Sequence, residues 1–208
     1  NPLDIVVTTV KLDTTGANGA FVKETGGGYA VATSTVGGTL GLLAGGTITQ
    51  SGVITANTLT ATLTAGALTL NTSANAITNL GAITAPGGFS LTNGNTSVTV
   101  TADISTTDTA VAIDVGTGTY TQNDFDISTG SGAITVTADA IAIVNNTGDN
   151  AFQTTGALTL KPKSAATTMS LAGASTFDLT ATEVTDLAGG VTGAGTIVLG
   201  DAAASTGA

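Results

Sequence analysis

The residues with the most chemical potential lie in the run NDFDIS, where Asp124 and Asp126 alternate around Phe125. On an extended strand, alternate side chains leave from one face, so both carboxylates would point the same way. Calcium takes carboxylate and carbonyl oxygens. Asp124 and Asp126 are therefore the candidate calcium ligands, with Asp114 or Asp139 as acids that a neighbouring coil could bring up. The spacing is neither that of an EF-hand loop nor that of a glycine-aspartate nonapeptide repeat. The plainer reading is a pair of solvated acids that discourages pairing at a sheet edge.

Hydroxyls are the second resource. Thr58, Thr60, Thr62 and Thr64 place four hydroxyls on one face of a strand, and flat ranks of threonine are one way to bind ice or another ordered surface. Threonine is also simply a common residue on the solvent side of strands. The later pairs Thr99/Thr101 and Thr135/Thr137 recur at no fixed interval, which argues against a regular lattice. Asn71, Asn75, Asn79, Asn93, Asn95, Asn145 and Asn146 fall at expected strand ends. There they either form amide ladders between stacked strands or fill left-handed turn positions. The chain has no His and no Cys, so the usual base and thiol of nucleophilic catalysis are missing. A calcium-dependent polysaccharide lyase is a third functional class, but it uses arginine in its proton abstraction and the chain has none. The sequence reads as a non-enzyme without a resident cofactor.

The elements that would position these residues are strands. Residues 47–91 alternate apolar and small polar residues in runs of four to eight, broken at Gly, Asn, Ser and Pro, which is the pattern of half-buried strands. Ile48, Val53, Ile54, Leu59, Leu63, Leu68, Leu70, Ile77, Leu80, Ile83 and Leu91 are the expected core. Two further strand-like runs cover 4–12 and 29–36. Between them, Asn18-Gly19 and Gly26, Gly27 and Gly28 would supply the positive backbone angles of tight turns. A tetrapeptide Gly-Ala-(Leu/Ile)-Thr recurs at Gly66, Gly81, Gly132 and Gly156, at spacings of 15, 51 and 24 residues. Each copy would turn a corner at Gly and begin a strand. One helical turn is expected over 179–188, LTATEVTDLA, capped by Thr180 or Thr182 with Glu183 nearby. The KPKS segment marks a strand end or an exposed loop.

Composition limits the partners. Hydrophobic residues make up 41% of the 208 and recur in strand-like runs, which sets the chain apart from disordered Gly/Thr-rich segments. Only 3% are aromatic, so the core must be thin and aliphatic, and the aromatic girdles of an outer-membrane barrel cannot be built. The 14 acids face 4 lysines, giving a formal net charge of −10. Nucleic acid, which demands clustered Lys and Arg, is excluded as a partner. No apolar run is long enough for membrane insertion as a helix.

The run AGGTITQSGVITANTLT and the following TAGALTLNTSANAITNLGAITAPGGFSLTN resemble the repeats of filamentous-haemagglutinin-type exoproteins, the large β-helical repeat adhesins of bacteria. The later run TTGALTLKPKSAATTMSLAGASTFDLTATEVTDLAGGVTGAGTIVLGD is similar to another repeat of such proteins. The resemblance implies a right-handed parallel β-helix, a secreted, extracellular place on the bacterial cell surface, and a structural or adhesive role toward host-cell or surface glycans. Residues 1–208 are expected to form one all-β domain, an elongated β-solenoid of about ten coils at about 20 residues each. Neither terminal stretch reads as a polar capping repeat. The chain is thus expected to be a fragment of a longer array or a filament subunit that stacks head to tail on copies of itself.

Overall fold

A computed structural model describes residues 3–4, 6–144 and 150–200. They form an all-β solenoid in which every strand pairing is parallel. Two sheets run along the stack. One has eleven strands and includes the long strands Ser34–Ala44, Ile54–Leu63 and Ala76–Thr84; the other is a ladder of nine short strands from Thr9–Val10 to Thr196–Leu199. Each coil contributes to both sheets, so a residue in one coil stacks on its counterpart in the next.

The stack makes about 7 turns instead of ten, and the register gives the reason. In the nine-stranded sheet Tyr29 pairs with Ile48, Ile48 with Leu68, Leu68 with Phe89, Phe89 with Val111, Val111 with Ile134 and Ile134 with Leu158, which are steps of 19, 20, 21, 22, 23 and 24 residues. From Tyr29 to Leu158 each turn takes one residue more than the last, after a first rise of 21 from Thr9 to Ala30. The added residues go into a new corner of the eleven-stranded sheet. Strand Ala76–Thr84 pairs along its length with two separate pieces of the next coil, Val98–Val100 and Ile104–Ser105, and the residues between those pieces bend the chain.

The alternation of residues 47–91 is what the core uses. Ile48, Ile54, Leu59, Leu63, Leu68, Leu70, Ile77, Leu80, Ile83 and Leu91 are all buried. Each such side chain contributes about 1.5–3 kcal/mol relative to exposure. Inward rows continue through the stack, as in Leu42, Ala61, Ile83, Ile104, Ile127 and Phe152.

Glycine does a different job from the one expected of it. Gly19, Gly26, Gly27 and Gly28 do not take positive φ; Gly19 and Gly28 instead let the next coil approach, while Gly26 and Gly27 wrap the Glu24 carboxylate, which accepts from both their N–H groups. A Cβ at Gly28 would lie 1.8 Å from the Thr47 carbonyl oxygen. Three of the Gly-Ala-(Leu/Ile)-Thr copies, at Gly66, Gly132 and Gly156, lead into strands of the nine-stranded sheet, where Leu68, Ile134 and Leu158 share one inward row. The copy at Gly81 is out of phase. It lies within strand Ala76–Thr84 of the other sheet, beside a register shift, so there Gly makes a bulge instead of a corner.

The next rise of the nine-stranded sheet, from Leu158 to Ile197, takes 39 residues. The extra chain holds a two-stranded parallel sheet, Met169–Leu171 with Phe177–Leu179, and the helix Ala181–Gly190. Thr180 is its N-cap. The Thr180 side chain accepts from the Glu183 backbone N–H and the Glu183 carboxylate accepts from the Thr180 N–H, a complete capping box. Phe177, Leu179 and Leu187 are buried against the solenoid core. Among the described residues no helix is long and apolar enough to cross a membrane.

Candidate functional site

The corners gather the polar side chains, and a shared backbone need explains why. Where a coil leaves its sheet, N–H groups lose their ladder partners and are left open to other acceptors. Side-chain oxygens from the coil below supply them. Asp103 Oδ1 accepts from Asp126 N (3.1 Å), Asp108 Oδ1 from Ser131 N (2.9 Å) and Asp139 Oδ1 from Ser164 N (2.7 Å), while Asp13 Oδ1 shares Thr35 N (2.9 Å) with the Leu12 carbonyl at a strand start. Asp108 adopts φ +53° to do so.

At Asp13 and Asp139 such bonds favour the ionised carboxylate. Asp13 is held below the usual carboxylate pKa by the Lys11 ammonium and the Thr35 amide. At Asp139, burial pushes the pKa up, but the hydroxyl and backbone of Ser164, with help from Thr167 and Lys163, outweigh it and the net direction is down. Asp178 is lowered by the Ser170 hydroxyl and the Gly173 amide, in the turn joining the two-stranded sheet.

The candidate calcium ligands sit differently from the expectation. Asp124 and Asp126 lie in the bend between strands Thr119–Gln122 and Ile127–Gly130, not on a strand, because this is where the lengthened coil turns. Asp124 is exposed. Asp126 is half-buried, and its Oδ2 accepts from Gln153 Nε2 at 2.7 Å. The acids foreseen as helpers are placed elsewhere: Asp114 ends a strand of the nine-stranded sheet and pairs with Lys163 at 2.6 Å, while Asp139 holds Ser164. The acid that does come up to Asp126 is Asp103. Among the described residues no three His, Cys, Asp or Glu side chains converge to hold a metal ion. Asp149 lies outside them. The signal that points to Asp103 is its 23-residue offset from Asp126, the same offset as Asp108 to Ser131.

The asparagines divide by the side of the corner they occupy. Asn75 and Asn93 are fully buried. Asn93 Oδ1 accepts from Ile77 N (2.8 Å) while its Nδ2 donates to Ile77 O and Thr96 O (2.8 Å each). Asn75 Oδ1 accepts from Ile54 N (2.9 Å), and its Nδ2 donates to Gln50 Oε1 (3.1 Å) one coil below. Asn79 donates to Asn57 O (3.0 Å) and so begins an amide step between coils. Asn95 takes the left-handed position, φ +59°. Asn145 and Asn146 lie outside the described residues.

The hydroxyls form straight rows. Thr58, Thr60, Thr62 and Thr64 alternate with buried Leu59, Ala61 and Leu63, as the sequence implies. Across coils, Thr39, Thr58, Asn79, Thr99 and Thr121 stack in one row of the eleven-stranded sheet, and Thr69, Ser90, Ala112, Thr135 and Thr159 in one row of the other. The irregular sequence interval does not produce an irregular lattice. Coil length grows, but the added residues go into corners and local bulges, so these two rows keep register about 4.8 Å apart.

No protein-family model, curated protein or solved structure matches this chain.

Proposed function

We propose that the chain is a rod segment of an extracellular bacterial surface protein of the filamentous-haemagglutinin type, structural and adhesive. The observation that supports this reading is the commitment of the corner carboxylates to backbone bonds between coils, which makes them parts of the stack. The outward sheet rows carry Thr, Ser, Ala and Asn, a flat surface suited to repeated weak contacts. End-to-end association of copies is part of the proposal: in strand Thr196–Leu199 the inward-row residues Ile197 and Leu199 remain 37% and 36% exposed, and among the described residues no strand pairs on their far side. Electron microscopy of the purified chain over a range of concentrations tests it, with filaments expected. Binding to cells and to glycan-coated surfaces, measured in parallel, tests the adhesive part. Monomers at every concentration would remove the filament, and no binding to either surface would remove adhesion.

The aligned threonine rows favour a second reading, an ice- or surface-binding solenoid. Thermal hysteresis of the solution decides it; freezing and melting points that coincide would end that reading.

A further inference from the structure

The corner between the nine-stranded and eleven-stranded sheets carries an outward asparagine in each of two neighbouring coils. Asn71 follows strand Leu68–Leu70 and Asn95 follows strand Phe89–Thr92. Both open an Asn-X-Ser triplet: Asn71, Thr72, Ser73 and Asn95, Thr96, Ser97. That triplet is the acceptor pattern for N-linked sugars.

Folding usually decides whether such a triplet can be used, and here it presents both. Asn71, Ser73, Asn95 and Ser97 are all exposed. Each triplet lies at a tight turn, closed by Asn75 N to Thr72 O (3.2 Å) in one coil and by Thr96 N to Asn93 O (2.8 Å) in the next. The same corner holds the opposite case. Asn75 and Asn93 face inward, lack the triplet, and have their amide nitrogens bonded to carbonyl oxygens. In the outward pair it is the oxygen that is bonded. Asn71 Oδ1 accepts from Ser90 Oγ (2.7 Å) and Asn95 Oδ1 from Thr117 N (2.9 Å). Because a backbone N–H can only donate, the Asn95 amide has a fixed orientation with Nδ2 outward. Neither Nδ2 has a protein partner among the described residues.

From this arrangement we infer that Asn71 and Asn95 are N-glycosylation acceptors used in the folded solenoid. The donor is a sugar carrying a diphosphate at its anomeric carbon, delivered by a transferase of the producing cell. Asn Nδ2 attacks that carbon. The C1–N bond forms as the C1–O bond to diphosphate breaks, the diphosphate leaves with the bonding electron pair, and the amide nitrogen gives one proton to the transferase's base. No redox partner is needed. Sugars at both positions would stand along one edge of the rod and leave the flat sheet rows open. The inference rests on the corner geometry and stands whether or not the rod adheres.

The test has two arms. The folded full chain is incubated with a nucleotide diphosphosugar and a soluble N-glycosyltransferase, or with a lipid-linked diphospho-oligosaccharide and an oligosaccharyltransferase, and its peptides are mapped by mass. Mapping separates these sites from a third triplet at 145–147, which lies outside the described residues. Sugar is expected on the Asn71 and Asn95 peptides. Asn71→Asp and Asn95→Asp each keep the accepting oxygen and remove the nitrogen, so each variant should lose the sugar from its own peptide alone, with unfolding transitions unchanged. Absence of sugar from both peptides in both arms overturns the proposal, whether or not the urea-unfolded chain is modified. Sugar that persists on a peptide after its own Asn→Asp change overturns the assignment of that site.

Discussion

Asp103 stands one coil beneath Asp126, and its Oδ1 accepts the Asp126 backbone N–H at 3.1 Å. This bond, between two residues of like charge, joins the corners that the lengthening coils create. Asp103→Ala removes the acceptor and should cost about 1 kcal/mol, the net worth of an ordinary hydrogen bond. Asp103→Asn retains an oxygen and should cost less. Urea unfolding of the two variants checks this, and equal midpoints for both would show that the bond contributes nothing. With Asp126 also engaged by Gln153, adding calcium or a chelator should leave the midpoint unmoved.

The inward asparagines should matter more than the exposed acids. Asn93 is fully buried and its side chain satisfies both the N–H and the carbonyl of Ile77. Asn93→Ala strands a donor and an acceptor away from water, where each unpaired group costs about 1–3 kcal/mol, so a loss of roughly 3 kcal/mol is expected by denaturant titration. Asn71→Ala, at the exposed side of the same corner, should stay within about 0.5 kcal/mol. Similar losses for the two variants would contradict the division of roles.

How far the sequence reveals this fold depends on the distance over which each signal acts. The period-two alternation around Leu59 and Leu80 is local, and so strands, core and solenoid class could be read directly. The capping box of Thr180 and Glu183 spans three residues, so a helical turn here is also legible, although the sequence leaves Thr180 and Thr182 both open as its cap and the structure selects Thr180. Coil number was not, because Phe89 stacks on Leu68 and Val111 on Phe89 at different intervals, and a search for a fixed period averages over that drift. The same drift hid the alignment of Thr58 with Thr99 through Asn79, and the approach of Asp103 to Asp126. The Gly81 tetrapeptide misled for a related reason: four residues fit a corner or a bulge equally well, and only the neighbouring coil decides which forms.

Glu183 links the inserted helix to the solenoid. Its Oε2 accepts from Thr180 N at 2.6 Å within the cap, and its Oε1 accepts from Ile143 N at 2.9 Å, a residue of the eleven-stranded sheet. Glu183→Ala breaks both at once and should cost roughly 2 kcal/mol, more than a cap alone, which is typically worth about 1 kcal/mol. Thr180→Ala loses only the cap. Hydrogen exchange resolves the two: the Ile143 amide should gain exchange in Glu183→Ala and remain protected in Thr180→Ala. Protection of Ile143 in both variants would show that the bridge is not used.

Close approach at the coil edges predicts a severe glycine variant. A Cβ at Gly37 would lie 1.7 Å from the Gly16 carbonyl oxygen, in a strand whose register shifts between Val36 and Thr39. The obstacle is backbone, so no side-chain rotation relieves it. Gly37→Ala should cost about 3 kcal/mol or more. Gly16→Ala has open space around the new methyl but a φ of +61°, so it should cost only about 1 kcal/mol, the ordinary penalty of a left-handed alanine. If thermal unfolding ranks Gly16→Ala as the worse of the two, coil contact is not what keeps glycine at 37.

Acid should loosen the stack through the corner carboxylates. Asp13, Asp139 and Asp178 all have folded pKa values below the ordinary 3.8. The unfolded chain therefore binds more protons than the folded one as pH falls through this range. The stability these groups add is complete above the unfolded value of about 4 and is lost as pH drops through the lower folded values, so unfolding midpoints should be level from neutral pH to about 5 and fall below about 4. Ser164→Ala isolates one contributor: it removes the hydroxyl that bonds Asp139 Oδ2 and leaves the backbone bond in place. The variant should be less stable than the parent near neutrality, and the gap should narrow as acid protonates Asp139 in both. Midpoints that run parallel down to pH 2 would show that Ser164 acts by packing and not by holding the carboxylate ionised.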